Sequence, residues 1–140
     1  MGIKRFNVKE EGLQRFFGPL EARVMKAIWE HQQLTIKQVH ELLDDQAPIS
    51  LNAVMTVMLR LTDKGILRKE TTGGGRNRVS FFFPVQSEEQ FIVEQTRVVT
   101  EGLMEDFGPL IVNHFIDQLD SADPELIKKL ESRINELKKQ

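Results

Sequence analysis

A mostly helical chain with one small β-hairpin, and helices again beyond it, is the fold class that this sequence predicts. Three observations predict it. Residues 50–84 read as a helix, a Lys64-Gly65 stop, a strand, a Gly-rich basic tip and a second strand. Residues 19–46 hold two further helical patterns, each with its own start signal. Residues 85–140 change to longer amphipathic stretches that end in an apolar stripe. The predicted architecture is a winged helix-turn-helix domain followed by a helical region. Its parts are an arm at residues 1–18, the winged domain at 19–84 and a helical dimerisation domain at 85–140.

The arm is mixed basic and aromatic, with Lys4, Arg5, Phe6, Phe16 and Phe17, and is expected to pack partly on the body. Pro19 suits the first turn of a helix to about His31, with Leu20, Val24, Ala27 and Ile28 on its apolar face and Trp29 at its end. Thr35 is the expected cap of a second helix, in which Ile36, Val39, Leu42 and Leu43 face inward. Gln46-Ala47-Pro48 ends it, because the residue before a proline avoids helical backbone. Ser50 caps the third helix, whose inner face is Val54, Val57, Met58 and Leu61. Gly65 sits where a helix stop wants a residue at ease with positive φ. Strands are expected at 66–70 and 79–83, around a tip at 71–78 that contains Gly73-Gly74-Gly75-Arg76-Asn77-Arg78.

Beyond Pro84, Ser87 with Glu88, Glu89 and Gln90 reads as a capping box opening a long helix to about Phe107. Gly108-Pro109 interrupts it, a further helix runs to about Leu119, and residues 120–124 turn the chain into a last helix. Leu103, Phe107, Leu110, Ile111, Phe115, Ile116, Leu119, Leu126, Leu130, Ile134 and Leu137 expose more apolar surface than so short a segment can bury. The stripe either folds back on its own winged domain or meets a second copy. A symmetric dimer is the expectation, because a two-fold protein matches a palindromic site.

Composition narrows the function. The chain has 140 residues, 40% apolar, with no apolar run near the ~20 residues of a membrane helix and no secretory signal. It has no cysteine, which excludes disulfides, thiolate metal sites and a cysteine nucleophile. A cytoplasmic protein is the simplest account. The net charge of −2 conceals an asymmetry: residues 1–84 carry 13 Lys/Arg against 9 Asp/Glu, and residues 85–140 carry 6 against 12. The basic excess lies in the half that holds the hairpin, where phosphate contacts would be made.

A helix followed by a basic hairpin suits double-stranded DNA, the helix entering the major groove and the hairpin gripping phosphates. The DNA-binding candidates are Thr35, Asn52, Ala53, Met55, Thr56, Arg60, Lys64, Arg76, Asn77 and Arg78. Asn52 can pair with adenine, Ala53, Met55 and Thr56 can touch a thymine methyl, and Arg60 and Lys64 suit phosphates. The glycines are not a nucleotide-binding loop, since no helix and no Gly-Lys-Ser/Thr follows them. Phe81, Phe82 and Phe83 read as strand core rather than base-stacking platforms. His31, His40 and His114 have no metal spacing, and neither HExxH nor a Gly-x-Ser-x-Gly elbow occurs. No catalytic residue, metal or cofactor is expected.

The ordered set Gly18-Pro19-Leu20-Glu21, Val24-Met25, Ile28-Trp29, Ser50, Val54, Thr56, Arg60-Leu61, Lys64-Gly65-Ile66-Leu67-Arg68 and Gly75-Arg76 resembles the penicillinase-repressor (BlaI/MecI) family of bacterial regulators. The resemblance covers residues 15 to 140 and is stronger in the winged half. It implies a homodimeric repressor of a palindromic operator built from TACA/TGTA-like elements, with a role in antibiotic (β-lactam) response genes. It also implies a membrane-anchored receptor protease pathway that leads to cleavage near Asn113, His114 and Phe115. Here His114 separates Asn113 from Phe115, so the family's Asn-Phe dipeptide is absent. Ala53 and Met55 stand where resistance repressors tend to have Thr and a basic residue, and the cysteines of a copper-sensing branch are missing. The competing reading is a winged-helix protein-interaction module without sequence-specific DNA binding. It is suggested by the uncharged surface of Asn52, Ala53, Met55 and Thr56, with Leu59 beside it.

Overall fold

The computed structural model describes residues 5–140; Lys4 of the expected arm lies outside them. In chain order the elements are α1 (Pro19–His31), α2 (Ile36–Gln46), α3 (Leu51–Asp63), β1 (Leu67–Thr72), β2 (Val79–Pro84), α4 (Glu88–Gln118) and α5 (Pro124–Lys138). Short 3-10 turns at Gly12–Arg15, Gly75–Asn77 and Leu119–Ser121 join them. The chain forms two compact units, one ending at Arg97 and the other spanning Val98–Gln140.

Local hydrogen bonds explain where the helices of the first unit begin and end. The Thr35 hydroxyl accepts from the Gln38 amide at 3.1 Å, and the Gln38 side chain accepts from the Thr35 amide at 2.9 Å. Two orphan donors of α2 are thereby satisfied at once. Ser50 accepts from the Ala53 amide at the start of α3. At its end Lys64 is the C-cap and Gly65 takes φ +77°. The Ile66 amide reaches back to the Leu61 carbonyl at 2.9 Å and the Gly65 amide to that of Thr62 at 3.0 Å. This is the Schellman stop, which needs a residue free to adopt the left-handed region. It draws Ile66 into the turn, so β1 begins at Leu67 rather than at the expected residue 66.

Val24, Met25 and Ile28 of α1, Val39 and Leu43 of α2, and Val54, Met58 and Leu61 of α3 are buried together. Leu20, Ile36 and Leu42, expected to face inward, are half-buried. β1 and β2 form an antiparallel hairpin that pairs Leu67 with Pro84 and Thr72 with Val79. Leu34 adds a third, one-residue rung: its amide donates to the Phe82 carbonyl at 3.2 Å, and its carbonyl accepts from the Phe82 amide at 2.9 Å. That rung fixes the root of the hairpin to the loop before α2 and holds Phe82 out of water.

The first turns of α4 belong to the same unit. Ser87 and Gln90 exchange capping bonds at 3.1 and 3.0 Å, as their spacing predicts. Phe91 is buried against Phe17, which stacks on it at 4.9 Å, and against Phe16 and Trp29. Phe16 and Phe17 thus anchor the arm in the core, while Phe6 at its outer end remains exposed. The Trp29 indole N–H donates to the Gln86 carbonyl at 2.9 Å.

In the second unit, Phe107 leaves helical geometry (φ −135°, ψ 27°) just before Gly108-Pro109, which kinks α4 where the sequence predicts a break. Asp123 caps α5 by accepting from the Glu125 amide. Of the eleven apolar residues singled out in this region, nine are exposed and Ile111 and Leu119 are half-buried. No helix of the described residues is long and apolar enough to cross a membrane.

Candidate nucleic-acid interface

With one face of α3 taken by the core, its opposite face is left to solvent. Asn52 and Thr56 lie there, one helical turn apart. Leu51, Met55 and Leu59 run along one edge and Arg60 lies on the other side. Ala53 is half-buried and its amide is held by Ser50. The Thr56 hydroxyl donates to the Asn52 carbonyl at 2.8 Å. The side-chain amide of Asn52 remains at the open end of the helix, where a base edge could be met.

The hairpin that follows this helix supplies fixed positive charge at its tip. Thr71 and Ser80 hydroxyls share a hydrogen bond of 2.9 Å across the strands. Beyond them the chain makes a 3-10 turn in which the Asn77 amide donates to the Gly74 carbonyl. Gly73 is indispensable to that turn: its φ is +77°, and a Cβ there would collide with the Asn77 carbonyl. Arg76, Asn77 and Arg78 are exposed at the tip. Between Glu70 and Glu88 the sequence has no acidic residue to neutralise them.

Two further expected residues have partners within the unit. Thr35 is half-buried, with its hydroxyl committed to the α2 cap. Lys64 forms an ion pair of 3.1 Å with Glu21, whose other oxygen accepts from the Gly18 amide at 3.0 Å. Lys64 therefore ties the end of α3 to the start of α1, and a phosphate at this position must compete with Glu21.

The structure also brings up residues that the pattern alone did not place at the site. Arg68 on β1 lies over the Phe83 ring, 4.5 Å from its centroid, and pairs with Glu70, two residues along the strand. The stacking holds its guanidinium on the hairpin face rather than free in solvent. Lys69 on β1 and Lys37 in the first turn of α2 are exposed as well. Leu51 completes the edge that Met55 and Leu59 form on α3. Its signal was the four-residue spacing. Among the described residues no metal-binding cluster of His, Asp and Glu occurs.

The sequence signature of the penicillinase repressor family matches residues 17–136, from the end of the arm to the last turns of α5. The chain belongs to the penicillinase repressor family. No curated protein matches it. Among solved structures it is similar to the DNA-binding domain of the repressor BlaI, at 26% identity and a TM-score of 0.44 over 56% of this chain and 90% of that one. It is also similar to AbfR of Staphylococcus epidermidis (17% identity, TM-score 0.44, 91% and 79% covered). The adhesin competence repressor AdcR from Streptococcus pyogenes is a further match (17%, 0.42, 89% and 81%). Family and winged-helix architecture together make this chain a DNA-binding transcriptional repressor and not an enzyme.

Proposed function

We propose that this repressor acts as a homodimer that holds a palindromic operator through two winged domains. The observation that carries the reading is the exposed face of α3, followed by a hairpin whose exposed tip presents Arg76 and Arg78 with no acidic residue between Glu70 and Glu88. In this reading Asn52, Ala53, Met55 and Thr56 meet base edges in the major groove. Thr35, Arg60, Lys64, Asn77 and the two wing arginines meet the sugar-phosphate backbone. Residues 19–84 are the DNA-binding part, and the dimerisation expected over residues 85–140 concentrates in the second unit, where the apolar side chains are bare. The family name makes β-lactam response genes the first operators to test. Asn113, His114 and Phe115 are exposed but lie in helical backbone. A protease needs extended chain, and the dipeptide is interrupted, so release by cleavage there finds no support in these residues.

Fluorescence anisotropy with a TACA/TGTA-type palindromic duplex and a scrambled control, at two salt concentrations, tests the reading. Preference for the palindrome that survives the higher salt is the expected result. Binding to neither duplex would overturn it and favour a protein-interaction module. The wing has its own readout. Replacing Arg76 and Arg78 with alanine should weaken binding to all duplexes and lower the slope of log affinity against log salt by about 2, at roughly 0.9 per lost phosphate contact. An unchanged slope would take the wing off the DNA.

A further inference from the structure

Leu51, Met55 and Leu59 stand four residues apart on α3 and so form one straight edge along its exposed side. They are 47%, 38% and 40% exposed, while Val54, Val57, Met58 and Leu61 of the same helix are buried. Single exposed apolar residues need no explanation, but three in line on a helix of thirteen residues make an oriented surface. The adjacent Thr56 hydroxyl is turned back onto the Asn52 carbonyl, which further reduces the polar capacity of this face.

We infer that this edge reads thymine C5-methyl groups in the major groove, so that apolar contact sets much of the repressor's sequence preference. The inference rests on α3 being the helix that enters the groove. The thymine methyl is the apolar group that base pairs present there. The charges carried by the helix and its hairpin decide between DNA and an apolar protein partner. Arg60 on the same helix and Lys69, Arg76 and Arg78 on the hairpin are exposed. A polyanion complements them, whereas an apolar protein face would have to bury charges without partners. The edge is also where this chain departs from a polar reading helix, since Asn52 alone among its first two exposed turns offers an amide to a base.

The test needs DNA that differs only in the methyl. A duplex enriched by the full chain from a random 20-base-pair library is remade with every thymine replaced by uracil, and both are titrated by anisotropy at one salt concentration. Burial of one methyl corresponds to about a fourfold affinity difference, so loss of two contacts should weaken binding on the order of fifteenfold. The double variant Leu51→Ala, Met55→Ala removes only exposed side chains, and its unchanged melting curve verifies folding. It should lose most of the difference between the two duplexes, keeping only what Leu59 and the methyls of Ala53 and Thr56 supply, which separates methyl contact from any change in duplex shape. Equal binding of thymine and uracil duplexes by the unmodified protein would overturn the inference and leave DNA binding intact. Failure to enrich any duplex would overturn both.

Discussion

Replacing Phe91 with alanine lowers the stability of the winged unit by about 3–5 kcal/mol, the cost of removing a buried aromatic side chain and leaving its cavity. Each kcal/mol moves the melting temperature of a unit this size by roughly 4–8 °C, so the transition falls by ~12 °C or more. Three ties hold the start of α4 to α1, and their magnitudes differ. The Lys26–Glu88 ion pair is 2.8 Å long but exposed, and such pairs contribute ~0–1 kcal/mol. The Trp29 to Gln86 hydrogen bond is one part-buried neutral bond, ~1 kcal/mol net. Phe91 is 2% exposed and touches three aromatic rings, which places it above the other two combined. Trp29 is the sole tryptophan and packs on Phe91, so its fluorescence in urea reports this unit alone. Ile92→Ala, at the exposed neighbour, should stay within about 0.5 kcal/mol. A Phe91→Ala loss under 1 kcal/mol would show that α4 is not welded to the unit through this ring.

What could be read from the sequence was what physics makes local. Thr35 with Gln38 and Ser87 with Gln90 are partners three residues apart, so residue type and spacing suffice to foresee the bonds. The stop at Lys64-Gly65 and the break before Pro109 are likewise written into single residues. The winged fold followed because these punctuation marks fall between apolar faces of helical period. Contacts across long separations were not legible. Residue type suits Lys64 to a phosphate, whereas its pairing with Glu21 depends on a packing that brings α3 beside α1. Phe91 carries no mark that sets it apart from the other apolar residues of its helix, and nothing nearby in sequence says that Phe16, Phe17 and Trp29 surround it. Arg68 over Phe83 requires the hairpin register, which pairs those two residues directly across the strands. At the site, the residue types of α3 were visible, but the continuous edge from Leu51 to Leu59 emerged only once each neighbour's burial was known.

Leu130→Asp with Ile134→Asp should convert the protein from a dimer to a monomer and cost the palindrome most of its affinity. Both residues lie on the apolar stripe of α5 with Leu126 and Leu137, and all four are exposed in the single chain. α5 has 15 residues, none of them buried. An isolated helix of that length is marginal in water, so its stability must come from burying this stripe against something. A second copy satisfies that requirement and also supplies the two-fold symmetry that a palindrome needs. In sedimentation equilibrium at micromolar concentration the unaltered protein should run at twice the chain mass of 16.2 kDa, and the variant at the chain mass itself. The winged unit is untouched, so affinity for a single half-site should not change. Palindrome affinity should fall by roughly 10²–10⁴, because the second half-site is no longer met at the high effective concentration that linkage provides. An equal fall on both duplexes would mean that the substitutions had damaged the winged unit. A monomeric unaltered protein would sink the dimer, and palindrome recognition with it.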